Sequence, residues 1–260
     1  MTSSFVNLGI GFFGVPILAA TDLDDTIFLA PGEAANAEVL LLAGNDSLQS
    51  PNINDRVLVN GNAGDDTMTG GFNDDTIFGG QGGDRVFANS GSDQVFGNLG
   101  SDVLEGGFNL DTLYGGQGDD ELFGDEGNDL LFGDRDNDIL DGDGGRDDLL
   151  GGEGDDTFVF DDGEANRDVL RVDAIGDFTA GDRSSTGDKI AIREDLRDDI
   201  DPISLERNID VNQDGFFDIA LQLFDGRFLG VLIDDGNLPN RLDLDIDFIF
   251  AEDDEFDFNL

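Results

Sequence analysis

Gly115-Gly116-Gln117-Gly118-Asp119-Asp120-Glu121-Leu122-Phe123 is followed directly by Gly124-Asp125-Glu126-Gly127-Asn128-Asp129-Leu130-Leu131-Phe132. Both nonapeptides have glycine at positions one and four, aspartate at six, leucine at eight and phenylalanine at nine. Extended both ways, this register divides residues 61–159 into eleven nine-residue units without insertion or deletion. The units start at Gly61, Gly70, Gly79, Ala88, Gly97, Gly106, Gly115, Gly124, Gly133, Gly142 and Gly151. The sixth position is always aspartate: Asp66, Asp75, Asp84, Asp93, Asp102, Asp111, Asp120, Asp129, Asp138, Asp147 and Asp156. The eighth is always apolar: Met68, Ile77, Val86, Val95, Leu104, Leu113, Leu122, Leu131, Leu140, Leu149 and Phe158. The fourth is glycine in eight units and Asn73, Asn109 or Asp136 in the rest, the types that best tolerate left-handed backbone. A short strand cannot bury its apolar face alone, and stacking identical units gives one continuous core.

Charge says what must hold such a stack together. The 260 residues carry 60 acidic and 13 basic side chains, a formal charge of −47, with 38 glycines and 22 phenylalanines. Histidine, cysteine and tryptophan are absent. That composition excludes thiolate and imidazole zinc sites, Ser-His-Asp triads and cysteine nucleophiles. A field this negative repels phosphate backbones, so no nucleic-acid partner is expected. Lack of cysteine suits a cytosolic chain, or a secreted one stabilised by something other than disulfides. Aspartates stacked at regular spacing repel one another unless a cation sits between them. Calcium takes six to eight carboxylate and carbonyl oxygens, which glycine-rich turns supply, whereas magnesium demands tighter octahedral geometry and keeps its waters.

The unit Gly115–Phe123 resembles the G-G-x-G-x-D-x-U-x calcium repeat of the repeats-in-toxin (RTX) family. The resemblance implies an all-β fold, a parallel β-roll that is a right-handed solenoid of calcium-binding nonapeptides with β-rich N- and C-terminal caps. Two units then make one coil, and unit n stacks on unit n+2. One edge would carry Asp66, Asp84, Asp102, Asp120, Asp138 and Asp156, the other Asp75, Asp93, Asp111, Asp129 and Asp147. One ion between each stacked pair gives about nine calcium ions. The family's ligation pattern adds carbonyls from positions two and four of one turn and one and three of the next. Among these are the carbonyls of Gly79, Gly80, Gly82, Gly97, Gly100, Gly106, Gly115, Gly116, Gly118, Gly124, Gly127 and Gly133. Ala88 at a first position leaves a carbonyl ligand intact, and Asp136 adds charge near its turn.

The organisation expected is an N-terminal cap of degenerate repeats (1–60), the roll (61–159) and a C-terminal β-rich cap (160–260). Upstream, Asp25-Thr26-Ile27-Phe28, Asp46-Ser47-Leu48 and Asp55-Arg56-Val57 read as decayed units, with an insertion near Val59-Asn60. Phe5 to Ala20 is apolar but short for a membrane span, and a buried capping strand is the reading adopted. No Lys or Arg precedes Arg56, so a cleaved basic leader is not expected. Downstream, Ile175-Gly176-Asp177-Phe178 and Asp188-Lys189-Ile190 resemble closing strands of RTX modules. Asp210, Asn212, Asp214 and Asp218 form D-x-N-x-D-G-x-x-D, a candidate for one more calcium, with a plain Asp-Gly hairpin as the competing reading.

At position nine, one sheet would present Phe78, Phe96, Tyr114 and Phe132 as an outward ladder, and the other is broken by Glu105 and Asp141. Aromatics simply suiting strands is one account; docking of the chain's own termini, another copy or an apolar partner is the other. The last stretch, ending Glu255-Phe256-Asp257-Phe258-Asn259-Leu260, resembles the C-terminal address by which this family leaves cells through a one-step exporter. The function expected is therefore a secreted, calcium-binding β-roll that folds on calcium, with a structural or surface-associated role and no enzymatic activity. The alternatives are a carboxylate-based carbohydrate-active enzyme or an adhesion, ice- or polysaccharide-binding module. Interruption of Thr76 and Thr112 by Gln94 argues against an ice-type threonine ladder.

Overall fold

Turn-forming residues ahead of an apolar eighth position make each nonapeptide a turn followed by a short strand. The computed structural model describes residues 6–10, 16–29, 38–49, 56–160, 173–178, 187–193, 206–209, 218–222, 228–232 and 248–251. These residues form two sheets of 13 and 11 strands, with successive units going to opposite sheets. In the first, Leu58–Ala63, Thr76–Gln81, Gln94–Leu99, Thr112–Gln117, Leu130–Arg135 and Asp148–Glu153 lie side by side. The second contains Thr67–Thr69, Arg85–Phe87, Val103–Asn109, Glu121–Gly127, Ile139–Asp141 and Thr157–Phe160. Pairing within the repeats is parallel and 18 residues apart, as with Val95 opposite Ile77 and Leu113, so unit n stacks on unit n+2. The chain is a parallel β-solenoid.

Alternation along each strand sets the core. Thr76–Gln81 buries Ile77 and Gly79 and leaves Thr76, Phe78 and Gly80 half-buried, as period-two strand geometry requires. Every eighth-position residue from Met68 to Phe158 is fully buried, forming one cluster between the sheets. Phe78, Phe96, Tyr114 and Phe132 stack on the outer face of the first sheet, neighbouring rings 4.8 Å apart and within 11° of parallel. That distance is the spacing of hydrogen-bonded strands, so backbone pairing and ring stacking share one period.

The solenoid continues beyond the eleven units. Thr26–Phe28 and Ser47–Gln49 extend the second sheet, with Leu48 between Ile27 and Met68. The decayed unit Asp55-Arg56-Val57 needs correction. Val59 stands opposite Ile77 and is buried, and the Val57 amide donates to Asp75 Oδ1, so Val57 holds the sixth-position seat. The extra residues therefore precede Val57, and Val59-Asn60 is strand. The sequence aligned Asp55 because its spacing from Asp46 is nine. The core instead selects Val59, whose alternation with Leu58 buries an apolar side chain.

Phe5 to Ala20 contains two strands, Val6–Ile10 and Pro16–Ala19, paired antiparallel. After the repeats, Asp173–Ile175 joins the first sheet and Lys189–Arg193 the second, both in parallel. The candidate loop Asp210, Asn212 and Asp214 lies outside the described residues, as do Glu255 to Leu260; Asp218 opens a strand, Asp218–Gln222.

Candidate metal centre

At both edges of the roll the sixth-position aspartates form two ladders. The backbone N–H of each donates to Oδ1 of the aspartate one coil later: Asp66 to Asp84 at 2.8 Å, Asp84 to Asp102 at 2.7 Å, Asp102 to Asp120 at 2.8 Å. The opposite edge repeats this through Asp75, Asp93, Asp111, Asp129 and Asp147 at 2.6–2.7 Å. All eleven aspartates are buried. Their second oxygens differ. Oδ2 of Asp66, Asp84, Asp93, Asp102, Asp111, Asp120, Asp129, Asp138, Asp147 and Asp156 has no hydrogen-bond partner. Asp75 alone of the eleven turns Oδ2 onto a backbone donor, the Gly71 N–H at 2.8 Å.

Main-chain oxygens converge on the same places. A Cβ placed on Gly97 would fall 2.4 Å from Asp102 Oδ2 and 2.6 Å from the Gly115 carbonyl oxygen. A side chain on Gly97 would fill the space across which that carboxylate oxygen and the carbonyl of the next coil face each other. Carbonyls at positions two and four face forward: Asn62 O lies against Gly80, and Gly82 O against Gly100. Ala88 keeps the pattern, its carbonyl lying against Gly70. Third-position carbonyls already accept an N–H, as Gln81 does from Gly64 and Leu99 from Gly82. Asp136 adopts left-handed backbone, φ 75°, and its carboxylate accepts the Gly118 N–H at 3.1 Å.

These oxygens fit a hard cation. A buried anionic oxygen without a donor is costly, and a cation removes the cost. Among the described residues no three acidic side chains lie close enough together to hold a metal unaided, so the turn carbonyls must complete any cage. Calcium accepts such mixed carbonyl and carboxylate ligation. Asp66, Asp84, Asp102, Asp120, Asp138, Asp156, Asp93, Asp111, Asp129 and Asp147 would each lend Oδ2.

Two features escaped the sequence reading. Position two is left-handed in ten of eleven units, and its occupants are all Gly, Asn or Asp, a signal as strong as that at position four. Its asparagines brace the turn: Nδ2 of Asn62 and Asn98 donates to the carbonyls of Asn60 and Phe96. Position five carries an exposed ladder of opposite polarity, Gly83 N–H donating to Asp65 Oδ1, Ser92 to Asp74 and Asn137 to Asp119.

Burial, above all, pushes the ladder carboxyls up, against the lowering effect of the N–H each accepts. They reach about 8 at Asp93, Asp120 and Asp129, about 7 at Asp84 and Asp138, and about 6 at Asp66, Asp102, Asp111 and Asp156. Aspartates one coil away add to the rise at Asp84, Asp93, Asp120, Asp129 and Asp138. A carboxyl whose folded value exceeds its unfolded one binds protons preferentially in the fold, so its contribution is greatest in acid and vanishes as pH rises through the folded value. In calcium-free buffer the strand signal in circular dichroism is therefore expected to grow as pH falls from about 8 to about 5. With calcium present, protons compete for the same oxygens and ion affinity falls over that range. A calcium-free signal that is flat or declines on acidification would contradict this.

Away from the turns, Glu105 and Asp125 share a cavity of about 360 Å³ with Phe72, Phe87 and Phe108. Burial, together with Asp125, pushes Glu105 up to about 7 against the pull of Arg85.

A family model described as RTX calcium-binding nonapeptide repeat matches four times, at residues 60–95, 87–122, 96–131 and 123–158. A search of curated proteins finds no match. Among solved structures, the extracellular lipase LipA from Serratia marcescens is similar to the chain with 15% sequence identity and a TM-score of 0.28. That likeness covers 81% of this chain and 45% of the lipase, so the chain spans less than half of the lipase's length.

Proposed function

Residues 60–158 are RTX calcium-binding repeats, and from that premise we propose that this is a secreted protein whose roll folds around calcium and serves a structural or surface-associated role. The observation that carries the calcium reading is the set of buried, donorless Oδ2 atoms at ten of the eleven turns, nine of them in succession from Asp84 to Asp156, each in a unit whose first position is glycine or, for Asp93, Ala88. Two aspartates and the carbonyls of two stacked turns would hold each ion, about nine in the nonapeptides, with the ion between Asp75 and Asp93 drawing its Oδ2 ligand from Asp93, since Asp75 Oδ2 accepts the Gly71 N–H. Bound calcium supplies positive charge at the edges, and nine ions would bring the formal charge from −47 to roughly −29. The chain's own residues do the rest: Oδ1 fixes each carboxylate by accepting a backbone N–H, and glycine at position one keeps the space open.

Extracellular calcium modules bind weakly, at about 10⁻⁴–10⁻³ M, so the sites would stay unloaded in a cytosol and fill outside. Export through a one-step exporter, on the address read in the last residues, accords with that order of events. Equilibrium dialysis at millimolar calcium is expected to find about nine ions held by the repeats, with magnesium failing to replace them. Retention of no calcium, or equal retention of magnesium, would overturn the reading.

A further inference from the structure

The first-sheet edge of the ladder does not stop with the last nonapeptide on that side. After Asp147 the next unit would put its aspartate 18 residues on, but the segment that stacks there begins 26 residues on, at Asp173. Strand Asp173–Ile175 pairs parallel with Asp148–Glu153, Ala174 opposite Asp148 and Ile175 opposite Leu149. The Asp147 N–H donates to Asp173 Oδ1 at 2.7 Å, the bond made at every rung before it. Asp177, from the same segment, accepts the N–H groups of Gly151 and Gly152 at 3.0 and 2.9 Å and so fixes it on the roll. Asp173 is 0% exposed and no N–H or O–H group donates to its Oδ2, while its carboxyl lies within hydrogen-bonding reach of that of Asp147. Asp147 Oδ2 is equally buried and equally without a donor, and lies against Gly142, where a Cβ would come within 2.5 Å of it. The neighbouring Arg146 reaches Asp148 and not this pair.

We propose that Asp147 and Asp173 hold a calcium ion of their own, one rung past the residues that carry the repeat signature. The inference rests on the reading of the repeats as calcium sites. No nonapeptide consensus surrounds Asp173: Asp-Ala-Ile-Gly-Asp-Phe follows residues 161–172, which break the period. What qualifies it is the seat, with the same parallel register, the same amide on Oδ1 and the same orphaned Oδ2 against a partner carboxylate. The ion would pin the post-repeat segment to the roll, making closure of this edge depend on calcium as the repeats do.

Counting bound calcium by equilibrium dialysis and native mass spectrometry tests this with three isosteric changes, each keeping the oxygen that accepts the N–H. Asp129→Asn removes a carboxylate shared by two ions whether or not Asp173 binds, so a loss of two is expected. Asp147→Asn is expected to lose two as well, because Asp173 gives it a partner on each side. Asp173→Asn is expected to lose one. A loss of only one at Asp147→Asn, or none at Asp173→Asn, would overturn the proposal while leaving the repeat sites standing. No loss at Asp129→Asn would instead sink the reading of the repeats. If Asp173→Asn does not fold, the comparison of Asp147→Asn with Asp129→Asn decides alone.

Discussion

Stripping calcium from the folded protein at neutral pH is expected to unfold the repeats, with loss of strand signal in circular dichroism and an increase in hydrodynamic radius, and adding calcium back is expected to restore both. The size of the effect follows from mass action. At calcium ten times a site's dissociation constant, each ion contributes about 1.4 kcal/mol. Nine such sites total roughly 13 kcal/mol, comparable with the whole stability of an ordinary domain. Removal also leaves something worse than nothing: ten buried carboxylate oxygens with no donor, in a chain of formal charge −47. The apolar seam is narrow, one eighth-position side chain per nine residues, and with glycine so frequent in the turns it cannot offset both losses. Native strand content persisting at pH 7.5 in excess chelator would refute this account.

The second large effect is a change of sign. Asp102→Asn in the middle of one ladder is expected to destabilise the calcium-loaded protein by about 3 kcal/mol, through loss of two ions. The same change is expected to stabilise whatever fold persists without calcium above pH 7. Asparagine Oδ1 still accepts the Asp84 N–H at this seat, so the backbone bond is kept. What disappears is a buried negative charge that is useful only when a cation faces it. Burial has raised the Asp102 carboxyl to about 6, so above pH 7 it is largely ionised and costly in the metal-free fold. Urea melts of both proteins, with calcium and with chelator, give the comparison. The same sign of change under both conditions would show that Asp102 acts as an ordinary hydrogen-bond acceptor and not as a ligand.

What the sequence displayed depended on how invariant each seat is. Aspartate at position six and an apolar residue at eight recur in all eleven units, so the parallel stack and its 18-residue register could be read directly from Asp66 to Phe158. The seats beyond that run were harder to read because loop length there is set by neighbours in space. Val57 fills an aspartate's seat because Val59 must reach the core, and no local pattern reveals that. Asp173 was hidden for the same reason: residues 161–172 break the period, and only the strand pairing of Ala174 with Asp148 brings it back into line. Asp75 shows the limit at finer grain. It is identical in type to its ten counterparts, yet its Oδ2 turns to the Gly71 amide. Position two was legible and overlooked, since Asn62, Asn89, Asn98, Asp125, Asp134 and Asp143 are all residues that accept left-handed backbone.

The aspartate ladders run one way, each amide reaching forward to the carboxylate of the coil after it. A roll cut anywhere along its axis would therefore show two unlike rims, one offering unclaimed amides and the other offering the acceptors those amides want. Such rims complement each other, and bare rolls would join head to tail into an open fibre with no natural stopping point. The hairpins at the two ends of the first sheet, Val6–Ile10 with Pro16–Ala19 and Asp218–Gln222 between its antiparallel neighbours, reverse strand direction where such polymerisation would start. A parallel edge cannot be extended in register across an antiparallel one, so the first sheet ends its own growth.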